Sequence, residues 1–415
     1  MSSVPAGFLE TAARIGARLC RDAVWAGEEC NWLGDAMELV DGAWTVVHRA
    51  CNPTLYDGTA GIALFLGRLH ALTGERPFRS AAAGALRQAL THAAALGEAA
   101  RAGVYAGQAG IAYVALDLGE RWGDGSLVEQ GLALLRAVAP PTAEPGPLDV
   151  ISGSAGLAPL LLVTHTRYPD ARLADAARAH GERLLQAARR APEGWSWNTL
   201  ETGGPALTGF SHGAAGIAWA LLELHRATGD AHFRAAAEEG FRYEQHWYSP
   251  EQCNWPDLRG AVPDAGGADG GLSYALAWCH GAPGIGRSRL RAYQVLGEAA
   301  YLEQARAALQ ATAVTLQVGA LADVPDCSLC HGVAGNAELF LYAADVLGDD
   351  GWRALPEQFA HWAAERYEAA GRPWPCGVLG GGETPGLMLG TAGVGHFYLR
   401  LARTADVPSP LLPFS

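Results

Sequence analysis

A Gly-x-x-Gly step followed by an apolar run recurs seven times, and nothing else in the sequence constrains the fold as strongly. It reads DGTAGIALFL around Gly58, AGQAGIAYVAL around Gly107, SGSAGLAPLLL around Gly153 and HGAAGIAWALLEL around Gly213. It returns as HGAPGIGRSRL around Gly281, HGVAGNAELFLYAA around Gly332 and LGTAGVGHFYLRL around Gly390. The first glycines lie 49, 46, 60, 68, 51 and 58 residues apart, room for two helices and their loops in each interval. Intervening segments such as RSAAAGALRQALTHAAAL (from Arg79) and ADAARAHGERLLQAARRA (from Ala174) place apolar residues at three- and four-residue steps. That is the pattern of amphipathic helices, whereas β-branched alternation is almost absent. Each repeat therefore reads as an outer helix, a turn, and an inner helix that begins at the glycine pair. The inner helices are apolar nearly all round, which suits a layer enclosed by a second one. The expected fold is all-α, a closed α/α toroid of about seven helical hairpins rather than an open solenoid. APPTAEPGPL (from Ala139), EGWSWNTLETGGPALTGF (from Glu193) and VPDAGGADGG (from Val262) break helices and are expected as loops or strand-like excursions.

Composition narrows the function. With 49% hydrophobic and 18% charged residues the chain buries a sizeable core, and its net charge of −13 carries no Lys/Arg cluster interleaved with aromatics. Nucleic acid is thereby disfavoured as a partner. No apolar run approaches the length of a membrane span. MSSVPAGFLETAARIGARLC lacks the basic start and apolar core of a signal peptide. A cytoplasmic protein is expected, in which Cys is a ligand, a nucleophile or a core residue.

In a ring of equivalent repeats, residues just before the first Gly meet at one end of the central cavity. Those pairs are Tyr56-Asp57, Tyr105-Ala106, Ile151-Ser152, Ser211-His212, Cys279-His280, Cys330-His331 and Met388-Leu389. Three successive repeats place His before Gly and two add Cys, from a pool of only 13 His and 8 Cys. Sulfur and nitrogen donors of this kind suit zinc. Ligands 51 residues apart do not staple a small finger, and a catalytic zinc uses three protein ligands and an open position. One Cys from one repeat and both residues of the other is the expected set. Cys327, in CSLCHG, offers a Cys-x-x-Cys alternative outside the repeat slot, and the remaining cysteines have no partner spacing. Asp57, Tyr105 and His396 lie near repeat slots and are expected to cap or pack.

FSHGAAGIAWAL, WCHGAPGIG, CHGVAGNAE and GLMLGTAGVGHFYLRL together resemble the lanthionine synthetase C-like (LanC-like) cyclases. LYDGTAGIALFL and LTGFSHGAAGIAWALLEL are most similar to the cyclase half of bifunctional class II lanthipeptide synthetases. The resemblance runs from near Leu55 to the last repeat. It implies one toroid domain over residues 1–415, with residues 1–50 as outer helices and lead-in, either free-standing or an excised half. It also implies one zinc per chain on Cys279, Cys330 and His331, with His280 beside them as a substrate-positioning residue. His212 matches the family's acid/base and Asp149 its partner carboxylate. Ala275 stands where some members carry Arg, which leaves Arg259 and Arg287 as candidates for that role.

The implied reaction adds peptide Cys thiols to dehydroalanine or dehydrobutyrine, closing thioether rings in a dehydrated precursor peptide that a separate dehydratase prepares. Other toroid enzymes fit less well. A glycosidase cast on Asp57 and Asp149 leaves the Cys-His pairs unexplained, and no basic cluster serves a prenyl diphosphate. A glutathione-binding scaffold, or a glutathione transferase to dehydroamino acids, is the alternative from within the family.

Overall fold

The computed structural model of the chain describes residues 6–97, 101–141, 146–200, 204–260, 272–317, 324 and 326–412. Seven inner helices start at the seven glycine pairs: α2 (Thr59–Thr73), α4 (Gln108–Trp122), α6 (Ser154–Arg167), α8 (Ala214–Thr228), α10 (Ala282–Leu296), α12 (Val333–Leu347) and α14 (Thr391–Ala402). Each of the first six pairs with the outer helix that follows it: α3 (Arg76–His92), α5 (Gly125–Val138), α7 (Ala171–Ala187), α9 (Ala231–His246), α11 (Ala299–Ala313) and α13 (Ala354–Ala363). The seventh outer helix is α1 (Ala6–Asp22), which packs on α14, and α14 packs on α2. The first helix of the chain thus completes the last hairpin and shuts the α/α toroid. The inner layer is enclosed on all sides, and every residue of α14 is buried. Five inner helices end on a left-handed glycine: Gly74, Gly123, Gly229, Gly297 and Gly348. That conformation costs glycine nothing and turns the chain sharply into the outer helix.

The second glycine of each pair answers a steric demand. A Cβ placed there would lie 1.8–2.3 Å from the carbonyl oxygen six residues earlier, in all seven repeats. The loop before each inner helix lies directly against the first turn, and only hydrogen fits between them. Gly335→Ala, whose Cβ would sit 1.9 Å from the Leu329 oxygen, is expected to cost about 1–3 kcal/mol. Gly7→Ala, on open surface in α1, is expected to be neutral or slightly stabilising. Urea unfolding of the two variants beside the wild type checks the contrast.

Two features depart from the sequence expectation. Of the expected outer helices in the lead-in, the described residues 6–50 supply one, and residues 24–50 form two antiparallel hairpins. β1 (Val24–Ala26) pairs with β2 (Glu29–Asn31), and β3 (Leu33–Val40) with β4 (Ala43–Ala50). Asp41 and Gly42 both have positive φ, the two-residue turn that matches strand twist. A short hairpin, β5 (Arg189–Ala191) with β6 (Gly194–Ser196), falls in part on the expected strand-like excursion from Glu193. VPDAGGADGG lies outside the described residues.

The second departure is the interior, which is not uniformly apolar. Arg68, Glu223, Arg287, Glu338, His396 and Arg400 are all buried there. They pair across the ring and with the chain that follows α14. Glu223 holds Arg291 on the neighbouring inner helix, with Oε2 3.0 Å from Nη2. Arg68 donates to the Pro408 oxygen (2.9 Å) and Arg287 to Ser409 Oγ (3.0 Å). Ser409 in turn donates to Glu338 Oε2 (2.8 Å), and Tyr105 to the Pro410 oxygen (2.7 Å). Buried charge is tolerable only when paired in this way. Residues 408–410 are thus tied to the inner layer, Arg287 and Tyr105 serve that packing, and His396 lies against Arg68 within it.

Candidate metal centre

The loops before the inner helices are tied into a closed ring by their main chains. Tyr56 N donates to Tyr105 O, Tyr105 N to Ile151 O, and Val150 N to Ser211 O. Ser211 N donates to Cys279 O, Cys279 N to Cys330 O, Cys330 N to Met388 O, and Met388 N back to Tyr56 O. The aligned repeat slots are therefore physical neighbours, although their members lie up to hundreds of residues apart. A cavity of about 530 Å³ opens at this end, lined by Tyr56, Asp57, His212, Arg259, Cys279, His280, Cys330 and His331 among others.

Cys279, Cys330 and His331 each present a donor atom, all within 4.8 Å of one another. His331 Nε2 lies 2.9 Å from the Gly377 oxygen and 3.4 Å from Asp326 Oδ2, which leaves Nδ1 for the two sulfurs. A ring nitrogen committed to a carbonyl or carboxylate is the usual support of a metal-ligating histidine. The two thiols are hydrogen-bonded to each other. The hydrogen bond from Cys330 holds Cys279 well below the ordinary thiol range, and the same bond, with burial, pushes Cys330 well above it. Burial lowers His331, but the Cys279 hydrogen bond and the Asp326 charge outweigh it and raise the ring to about 9. Ligands of a divalent cation must be deprotonated, and two sulfurs with one imidazole fit zinc. Cys327 is buried and stands outside the cluster.

On the same rim His212 Nδ1 lies 2.6 Å from Asp149 Oδ2. Asp149 Oδ1 accepts from Ser152 N at 2.7 Å, so one carboxylate caps a turn with one oxygen and orients an imidazole with the other. Since Nδ1 carries the hydrogen toward the carboxylate, Nε2 is the free nitrogen. His280 is buried, 6.1 Å from His212 between ring centroids. Burial lowers its pKa, and neither ring nitrogen finds a hydrogen bond among the described residues. Arg259 is held by Asp257 (Nε to Oδ1 3.0 Å) and lines the cavity, whereas Arg287 lies in the packed interior. Asp57 also lines the cavity, tied to Asn52 Nδ2 at 2.6 Å.

Two supports escaped the sequence reading. Tyr56 donates its hydroxyl to Cys330 Sγ at 2.8 Å; it stands in the same repeat slot as the cysteines, which was the available signal. The second is Glu244 on outer helix α9, whose Oε1 accepts from Gly209 N (3.0 Å) and Ala215 N (2.9 Å) on either side of His212. No spacing announces it. Burial, opposed by Arg289 and the two N–H groups, raises this carboxyl to about 7. An acid that holds its proton more tightly when folded costs stability as pH rises from about 4.5 through about 7. Glu244→Gln keeps the accepting oxygen and loses that penalty. The variant is expected to be more stable than wild type by about 3 kcal/mol at pH 8, with the gap closing by pH 5. Thermal unfolding at the two pH values checks it.

A model of the lanthionine synthetase C-like protein family matches residues 50–412. The chain belongs to this family. Nisin cyclase superposes on this LanC-like chain with a TM-score of 0.65 over 85% of it and 88% of the cyclase, at 18% identity. A GH76 α-mannanase of Bacteroides thetaiotaomicron gives 0.55 over 96% of both chains at 13% identity. Both show a shared toroid fold. Glutathione S-transferase LANCL1 of Danio rerio is 29% identical over 203 residues, 49% of this chain. The match spans 44% of that relative's length. No described helix is long and apolar enough to cross a membrane.

Proposed function

We propose that this LanC-like chain is a zinc-dependent lanthipeptide cyclase, acting in the cytoplasm on a precursor peptide already dehydrated by a separate enzyme. The observation that carries the reading is one cavity with two thiols and an imidazole clustered on its wall and a His–Asp pair beside them. Cys279, Cys330 and His331 would hold the zinc, which when bound ionises a substrate thiol at neutral pH. The new C–S bond forms at the β-carbon of the dehydroamino acid as its C=C bond opens toward the carbonyl. His212, kept in orientation by Asp149, takes up a proton at Nε2 as the thiol gives up its own, and delivers that proton to the α-carbon. Arg259 faces the cavity as a cation for the carbonyl oxygen while charge resides there, and His280 walls the space in which the alkene lies. Atoms balance: the thiol proton is lost, the α-carbon gains one, and the peptide's mass is unchanged.

A second reading is favoured by the name of the zebrafish relative. Glutathione, rather than the peptide's own Cys, would supply the thiol. One assay separates them. The zinc-loaded chain is incubated with a dehydrated peptide bearing one Cys, with and without glutathione, and quenched with a thiol alkylator. Ring closure gives unchanged mass and no alkylation; transfer adds one glutathione and leaves the peptide Cys open to alkylation. A peptide that stays alkylatable and unmodified in both arms overturns the enzyme.

A further inference from the structure

We infer that Tyr56 is a positioning residue of the metal centre, its hydroxyl drawing charge from Cys330 Sγ and fixing that sulfur for the ion. The inference rests on the metal reading above, and its test does not require ring formation. Three observations carry it. The hydroxyl donates to the sulfur at 2.8 Å across 274 positions of sequence. The Tyr56 main chain is pinned on both sides, by N–H to Tyr105 O at 2.9 Å and by its carbonyl accepting from Met388 N at 2.7 Å. Met388 O in turn accepts from Cys330 N at 3.0 Å, so donor and acceptor ride on one hydrogen-bonded strip of the ring.

Main-chain hydrogen bonds thus fix the two backbones relative to each other, and the phenol and thiol meet from them. A phenol stays protonated below about pH 10 and acts as a donor throughout the working range. Hydrogen bonds to an ionised acceptor are among the stronger ones, and partners behind a ligand tune what the ligand gives to the metal. Two thiolates push much charge onto one ion and weaken its pull on a fourth ligand. A donor on one of them restores that pull, which an incoming substrate thiol needs in order to ionise. Phenylalanine would fill the same volume without supplying a donor.

The test replaces zinc by cobalt(II) and reads the sulfur-to-cobalt charge-transfer band in the near ultraviolet. Tyr56→Phe is expected to move the band to longer wavelength, because a thiolate without its donor is more easily oxidised. Metal affinity by chelator competition is expected to fall by roughly 10- to 100-fold. Tyr56→3-fluorotyrosine, a stronger donor of nearly the same shape, is expected to move the band the other way and answers the question if the Phe variant misfolds. An unmoved band in both variants, with cobalt bound, overturns the inference and leaves the metal centre standing. A folded wild type that takes up no cobalt overturns both.

Discussion

Cys330→Ala is expected to give a folded chain that holds no zinc and closes no rings. Cys330 is one of the three clustered donors, and it also accepts the Tyr56 hydroxyl. Its loss leaves Cys279 and His331, one sulfur and one imidazole, against the three protein ligands that a catalytic zinc site uses. The affinity lost should exceed the roughly 10- to 100-fold that removing a supporting partner costs. The fold should survive, because the ring of loop hydrogen bonds uses the main chain at this position. Cys330 N donates to Met388 O and Cys330 O accepts from Cys279 N, and alanine offers both groups. Metal per chain by mass spectrometry, beside circular dichroism, reads the two outcomes separately. A variant that keeps a full equivalent of zinc would remove Cys330 from the donor set, and the repeated Cys-His-Gly would then express repeat ancestry alone.

What could be read from the sequence was what is local and repeated. The glycine pairs mark every inner helix because the steric demand at each second glycine is the same, a carbonyl about 2 Å from any Cβ. Once the repeats were aligned, the slot residues became neighbours, and the backbone ring from Tyr56 round to Met388 has that register. The gathering of Cys279, Cys330 and His331 uses that register; which slot residues form the set, and the partnering of His212 by Asp149 from outside the slot, were implied by the family resemblance and not by the repeat. Features that depend on pairing across the ring left no local trace. Arg400 and Glu338 are 62 positions apart, with Nε 3.3 Å from the carboxylate, and only their juxtaposition makes two buried charges compatible with apolar helices. The β3–β4 hairpin had one local signal, Asp41-Gly42, but its strands are half-exposed on both faces and do not alternate cleanly. Closure by α1 was hidden for another reason, since the first outer helix belongs to the last repeat.

The protonation step makes the second demanding prediction. His212→Asn is expected to retain one zinc per chain, since His212 is not among the clustered donors, and to slow ring formation by about 10²- to 10⁴-fold. Asp149 acts on the cavity through His212, but it also caps the turn at Ser152. Asp149→Asn alone therefore mixes two effects: it preserves an oxygen for Ser152 and offers Nδ1 a donor where it needs an acceptor. Groups that act as a unit are not additive when removed together. The double variant is expected to cyclise no more slowly than His212→Asn. Initial rates on one dehydrated peptide, scored by loss of alkylatable thiol, decide the matter. A double variant slowed by the product of the two single effects would mean that Asp149 works through the Ser152 turn. A His212→Asn variant as fast as wild type would move the proton donor elsewhere on the cavity wall, which His280 and Arg259 also line.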